Sequence, residues 1–162
     1  MDMQSAYRDL YRDIVRDHGR APHCVGELAS ATTQGEAHNA VCGDRVRVTL
    51  HLDGNGRIRE LRHATEGCLL CNASASLMAL HVVGLRRAGL RAMHMRLTAL
   101  ITGNPAGLLL DDGVLPGDLG ALAGVAAFPS RRPCVMLPWE ALDGALCEAG
   151  GAVLQDLLRD QH

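Results

Sequence analysis

The alternation of apolar and polar residues predicts a small antiparallel sheet in the first half of the chain. In RVRVTLHLD, residues 45–53, valines and leucines occupy every second position from 46 to 52, as in a half-buried strand. The hairpin turn DGNG follows at 53–56, and RIRELRHATEG returns as the partner strand with one irregularity in its alternation. Residues 26–34 are a candidate for a further short strand. We therefore expect about three strands.

Apolar residues at helical spacing predict helices on both sides of this hairpin. They mark a helix over 5–18, a buried helix of small residues over 69–87, another over 89–102, and a last helix beginning at Pro138. The stretch 103–120 is rich in Gly, Pro, Asp and Leu and resembles a loop-bearing insert, in which GDLGALAG forms a short helix. The order of helix, strands and helices predicts an α+β fold with the sheet packed against helices. We expect a single domain over 1–150, with 151–162 as a C-terminal helical extension or tail.

The composition excludes several classes of function. A formal net charge of −2 over 162 residues gives no basic footprint for nucleic acid. With one Trp, two Tyr and one Phe, the chain also lacks stacking surfaces for single-stranded nucleic acid. The charged N-terminus does not resemble a signal peptide, and no apolar run is long enough to span a membrane. A cytoplasmic, reducing compartment is the default expectation, and there scattered cysteines indicate metal binding, catalysis or burial.

Three of the six cysteines and one aspartate form a candidate metal site. Cys42 and Asp44 lie two apart before a strand, where extended backbone would point both side chains the same way. Cys68 precedes a helix, whose dipole favours a thiolate. Cys134 lies in the loop before the last helix, just after Arg131. If these loops meet at one end of the sheet, the residues make a four-coordinate zinc set. Spacing alone leaves open three unrelated buried thiols and a turn aspartate.

Four stretches together resemble a known family. They are LYRDIVRDHGRAPHCVG near the N-terminus, NAVCGD (39–44), EGCLLCNASAS (66–76), and GDLGALAGVAAFPSRRPC with LPWEAL (117–142). In order and in register, they resemble the SufU branch of the IscU/NifU-like iron–sulfur cluster assembly proteins, from about residue 7 to residue 145. The IscU branch carries a histidine just before its last cysteine, where this chain has Pro133. That difference and the long insert favour the SufU branch.

The resemblance implies a fold, a site and a function. The fold is a small antiparallel sheet packed on helices, and the site consists of Cys42, Asp44, Cys68 and Cys134. The implied function is a zinc-dependent sulfurtransferase that accepts persulfide sulfur from a cysteine desulfurase (SufS-type), with a downstream iron–sulfur scaffold as a second implied partner. Cys42 would accept the sulfur because it lies in a mobile loop beside glycine, with Arg131 in a supporting role that holds Asp44 or steers a thiolate.

Two other functions remain open on the sequence alone. The same three cysteines could assemble a [2Fe–2S] cluster, which would make the protein a scaffold. The domain could also be a zinc-stabilised interaction module without chemistry. Among the remaining cysteines, Cys71 adds a CxxC where the family generally has a small polar residue, and it is either a core residue, a fourth thiolate ligand or a redox partner of Cys68. We expect Cys147 to be a core residue and Cys24 to lie in a loop.

Overall fold

The computed structural model describes residues 3–103 and 117–159, and it has the α+β architecture predicted from the sequence. A first helix and three strands are followed by two helices, two 3₁₀ segments and a long last helix. The elements are α1 Met3–Arg20, β1 Thr33–His38, β2 Arg45–Leu52, β3 Ile58–Glu66, α2 Leu69–His81, α3 Arg87–Ile101, the 3₁₀ segments Gly117–Ala127 and Pro129–Arg131, and α4 Arg132–Arg159. In this part of the chain no helix is long and apolar enough to cross a membrane.

The three strands form one antiparallel sheet in the order β1-β2-β3. The predicted hairpin between β2 and β3 is confirmed: Asp53 Oδ1 accepts hydrogen bonds from the backbone N–H groups of Asn55 and Arg57, at 2.8 and 2.9 Å. The irregularity in the hairpin is a register shift between His51 and Leu52. The prediction of a strand over 26–34 was wrong in its bounds. Pairing with β2 begins only at Thr33, and the preceding residues form a loop.

Helix α2 is the centre of the core, and its small side chains let its neighbours approach closely. All residues from Ala73 to Ala79 are buried, and α1, α4, β3 and the 3₁₀ segment Gly117–Ala127 pack around them. Ser74 Oγ donates a hydrogen bond to the Val135 carbonyl at 2.6 Å and accepts one from Trp139 Nε1 at 3.1 Å. These two bonds join α2 to the first turns of α4.

The last helix begins earlier than the sequence suggested. The prediction that it starts at Pro138 was wrong, because α4 begins at Arg132 and Pro138 lies inside it. Proline is tolerated in the first turn of a helix, and Pro133 occupies the first turn of α4. A proline therefore also marks the actual start of this helix. Cys134 is therefore in the first turn of α4 and not in a loop. Helix α4 continues across residue 150, where the sequence predicts the end of the domain. Most of the predicted insert, residues 103–120, lies outside the described residues.

Candidate metal centre

A tight turn before β2 brings Cys42 and Asp44 to the same side of the chain. Asn39 organises this turn: its Oδ1 accepts a hydrogen bond from the Val41 N–H at 3.0 Å, and its carbonyl accepts one from the Gly43 N–H at 2.8 Å. Gly43 has φ +78°, a left-handed conformation that glycine adopts without strain. The expectation that extended backbone aligns the two side chains was wrong. The turn, and not strand alternation, brings them together.

Cys68 is the N-cap residue of α2, as the sequence predicted. Its backbone is extended, with φ −68° and ψ 169°, and its side chain makes no capping hydrogen bond. Asn72, one turn along the helix, donates from Nδ2 to the carbonyls of Gly67 and Cys68 at 3.1 and 3.2 Å. The backbone that carries Cys68 is therefore held in place by its own helix.

Three of the four predicted ligand residues come close together at this end of the sheet. The ligand atoms of Cys42, Asp44 and Cys134 all lie within 4.8 Å of one another. Cys68 is a neighbour of this group, because it contributes to the raised pKa of the Cys134 thiol. Burial differs sharply within the group, since Asp44 and Cys134 are buried, Cys68 is half-buried and Cys42 is exposed.

Burial and neighbouring groups keep the inner thiols protonated in the absence of a cation. Burial raises the pKa of the Cys134 thiol to about 12, and the neighbouring Cys68 and Asp44 add to this. Burial also raises the pKa of Cys71, with Asp44 and Cys68 contributing. A positive charge among these groups would have the opposite effect, because it favours the thiolate and carboxylate forms.

Asp44 has a buried oxygen that the described protein groups leave without a partner. Its Oδ2 atom has almost no contact with solvent and makes no hydrogen bond, although an unpaired buried polar group is costly. Gly67 makes room for this carboxylate, because a Cβ atom there would lie 2.9 Å from Asp44 Cγ. A carboxylate with a free oxygen, close to the thiols of Cys42 and Cys134 and with Cys68 as a neighbour, is a donor set that suits four-coordinate zinc. The residues present therefore fit the metal that the sequence predicts.

The structure places each of the other residues considered from the sequence, Arg131, Cys71, Cys24 and Cys147, in a different environment. Arg131 is exposed and forms no ion pair with Asp44, so the expectation that it holds Asp44 was wrong and any other supporting role stays a prediction. Cys71 is fully buried, and Cys24 lies in a loop with φ +62°. The prediction that Cys147 is a core residue was wrong, because its side chain is exposed and accepts a hydrogen bond from Arg87 at 3.0 Å.

Sequence reasoning missed three residues that support the site without being candidate ligands. Asn39 shapes the turn that carries Cys42, Gly67 leaves space for Asp44, and Asn72 fixes the backbone at Cys68. Two of them carried a readable signal. An asparagine that opens a turn is a common backbone-bonding residue, and an asparagine four residues after an N-cap can reach back to its carbonyl. The crowding at Gly67 depends on tertiary contacts and has no local signal.

Comparisons with known proteins agree with this fold and its motifs. The family model "NifU-like N terminal domain" matches residues 10–105. The zinc-dependent sulfurtransferase SufU of Bacillus subtilis (strain 168) is 34% identical over 143 residues, which is 88% of this chain and 93% of the relative. The iron–sulfur cluster assembly scaffold protein IscU of Streptococcus pyogenes serotype M1 is 32% identical over 150 residues, covering 91% and 89% of the two chains.

A solved structure supports the same fold. The N-terminal part of a nitrogen-fixing NifU-like protein from Brucella abortus superposes with a TM-score of 0.75 at 21% identity, covering 90% of this chain and 97% of that one. The family model covers more than half of the chain, and the two relatives align along most of its length. This protein therefore belongs to the NifU-like N-terminal domain family, to which its sequence motifs had pointed.

Proposed function

We propose that this protein acts in iron–sulfur cluster assembly as a zinc-dependent sulfurtransferase, with Cys42 as the persulfide acceptor. The proposal is supported by its similarity to a sulfurtransferase named as zinc-dependent and to a cluster assembly scaffold. The observation that carries it is the contrast in exposure within the cluster. Cys42 is exposed, whereas Asp44 and Cys134 are buried.

Cys42, Asp44, Cys68 and Cys134 are the residues that would hold zinc. When bound, zinc keeps cysteine side chains deprotonated at neutral pH. The buried members, Asp44 and Cys134, have little freedom to leave, and Cys68 is anchored by Asn72. Cys42 can move outward, because its turn is flanked by Gly43 and packs little against the core.

The transfer itself is a thiol exchange that needs no further oxidant. The Cys42 thiolate attacks the terminal sulfur of a persulfide carried by a cysteine desulfurase. A new S–S bond forms at Cys42 while the S–S bond on the desulfurase breaks, and the desulfurase cysteine leaves as a thiolate. The sulfane sulfur keeps its oxidation state and moves on to a downstream iron–sulfur scaffold.

Exposed apolar residues beside the reactive end fit a partner protein. Val41, next to Cys42, is 97% exposed, and Leu69, next to Cys68, is 44% exposed. A desulfurase that approaches Cys42 would cover Val41 and Leu69 as it does so. Burial of such side chains on association is favourable, since it removes apolar surface from water.

Stimulation of a partner desulfurase tests the proposal. Wild-type protein should accelerate release of alanine from cysteine by the desulfurase, and Cys42→Ser should abolish the acceleration while still binding some zinc. Cys147→Ser is the matched control, because this thiol is also exposed but lies outside the cluster. Equal stimulation by wild type and Cys42→Ser would refute the proposed role of Cys42.

A scaffold function is the second candidate, favoured by the similarity to IscU. The three thiols that would hold zinc could also hold a [2Fe–2S] cluster. Protein purified in air should be colourless and contain zinc under the sulfurtransferase proposal, whereas a brown protein with bound iron would favour the scaffold. A colourless zinc protein without any effect on the desulfurase would instead be an interaction module.

A further inference from the structure

We propose that Cys68 and Cys71 form a reversible disulfide in the metal-free protein, a redox site in addition to the metal centre. Cys71 lies outside the group formed by Cys42, Asp44 and Cys134, and the sulfur transfer described above does not use it. It is nevertheless a thiol beneath the same cluster. The inference concerns the thiols themselves, and it holds for a sulfurtransferase and for a scaffold alike.

The start of α2 provides the geometry for this bond. Cys68 is the N-cap residue and Cys71 is the third residue of the helix. An N-cap side chain bends back over the first turn, where it normally accepts a hydrogen bond from the backbone N–H of the second or third helical residue. The Cys68 side chain makes no such bond, so its sulfur is free to reach the Cys71 side chain. From helix geometry, the Cα atoms of residues three apart lie about 5 Å from each other, within the range of about 4.4–6.8 Å that disulfides adopt.

Gly67 and Asp44 define where Cys71 lies. A Cβ atom built on Gly67 would lie 3.2 Å from Cys71 Cβ and 2.9 Å from Asp44 Cγ. Cys71 Cβ is therefore directly beneath the Gly67–Cys68 backbone and beside the carboxylate of the metal site. Cys71 is fully buried and Cys68 is half-buried, which makes Cys68 the thiol that an oxidant in solution reaches first.

The reaction is a two-step thiol–disulfide exchange with a low-molecular-weight disulfide such as oxidised glutathione. The Cys68 thiolate attacks one sulfur of that disulfide and releases one glutathione thiolate, which leaves a mixed disulfide on Cys68. The Cys71 thiol, which burial keeps protonated, then attacks the Cys68 sulfur while its proton passes to the departing glutathione sulfur, and the second glutathione leaves as a thiol. Two protein thiols are oxidised, one small disulfide is reduced to two thiols, and a reductant reverses both steps.

Cys134 is the competing partner for Cys68, since the two side chains are close enough to interact. Cys134 belongs to α4, however, so its position relative to Cys68 depends on the packing of two separate helices, which are joined at Ser74. The separation of Cys68 and Cys71 is set by a single helical turn and does not depend on the metal. Closing so short a loop costs little chain entropy. The bond would withdraw Cys68 from the metal site, so zinc could not rebind fully until the disulfide is reduced.

Tryptic mapping of the full-length, chelator-treated protein after incubation with oxidised glutathione tests this inference. Cys68 and Cys71 share the tryptic peptide 63–86, whereas Cys42 lies in 21–45 and Cys134 in 132–159. We expect peptide 63–86 to be lighter by two hydrogen atoms and resistant to alkylation until it is reduced. Zinc uptake should fall at least tenfold and return with dithiothreitol.

Two variants complete the test without relying on desulfurase activity. Cys71→Ser should keep zinc binding before oxidation and carry glutathione on Cys68 after it, whereas Cys147→Ser should behave as wild type. Peptide 63–86 recovered with both thiols free, or joined to 21–45 or 132–159 by a disulfide, would overturn the inference.

Discussion

Gly67 is the residue on which the buried part of the site depends most directly. Its missing side chain leaves space for the Asp44 carboxylate and for Cys71. Asp44 in turn supplies the only oxygen ligand of the proposed set. A single methyl group at position 67 would therefore displace the Asp44 carboxylate, although Asp44 and the other candidate ligands would themselves be unchanged.

We expect Gly67→Ala to lower the free energy of unfolding by about 1–3 kcal/mol, because overpacking displaces Asp44. Zinc affinity should fall as well, since the carboxylate moves. Urea unfolding and zinc titration against a chromogenic chelator measure the two effects. Gly54→Ala is the control, because its Cβ would meet no heavy atom within 4 Å. Similar losses in both variants would contradict the proposed role of Gly67.

The junction between α2 and α4 determines how Cys68 and Cys134 face each other. Ser74 joins the two helices through its bonds to Val135 and Trp139. Each bond is buried, so the loss of the hydroxyl leaves both a carbonyl and an indole N–H without this partner.

We predict that Ser74→Ala lowers the free energy of unfolding by about 1–3 kcal/mol, because it leaves buried polar groups unpaired. Zinc affinity should decrease too, since Cys134 lies in the helical turn that Ser74 holds. Thermal and urea unfolding provide the measurement. Ser30→Ala removes an exposed hydroxyl and should be neutral. A Ser74→Ala variant as stable as wild type would mean that packing alone holds the two helices.

His63 of strand β3 holds the loop between α1 and β1. Its Nε2 contacts the His23 carbonyl at 2.8 Å, its Nδ1 contacts Thr65 Oγ1 at 2.8 Å, and its side chain is buried. Burial lowers the pKa of His63 below its usual value, with the His23 carbonyl acting weakly in the opposite direction.

Stability of the metal-free protein should therefore decrease as the pH falls through the ordinary histidine range near 6.5. The unfolded chain binds a proton there that folded His63 resists, so the free energy of unfolding rises with pH by at most about 1.4 kcal/mol per pH unit from this group. Urea unfolding between pH 5 and pH 8 measures this slope. His63→Gln should flatten it, whereas exposed His38→Gln should not. An unchanged slope in His63→Gln would assign the pH dependence to other groups.

Elements could be predicted from the sequence where one local signal dominates. The β2–β3 hairpin follows from strict alternation around DGNG, and Cys68 at the start of α2 follows from the change in periodicity. Pro133 and Pro138, five residues apart in the sequence, can each mark a helix start, and the prediction from the sequence chose the wrong one for α4. The convergence of Cys42, Asp44 and Cys134 could be predicted only from family resemblance, because it depends on contacts between segments far apart in sequence.

For the whole molecule, the proposed zinc ties together three segments that are otherwise separate in sequence: the turn at Cys42, the start of α2 and the start of α4. We expect about one zinc per chain and a fall in melting temperature of roughly 10 °C when a chelator removes it, because a ligand that binds only the folded state stabilises that state. Calorimetry with and without chelator measures this. Cys134→Ser should melt low at the outset and respond little. Removal of zinc without a change in melting temperature would show that the metal has no structural role.

The identity of the cysteine that carries sulfur tests the account most directly. After reaction with cysteine and a desulfurase, the protein is alkylated and digested, and fragment spectra locate the additional sulfur atom. We predict that it lies on Cys42 in peptide 21–45, which fragmentation distinguishes from Cys24 in the same peptide, and that Cys24→Ser retains it. Sulfur on Cys71 or Cys134, together with a Cys42→Ser variant that still stimulates the desulfurase, would contradict the account.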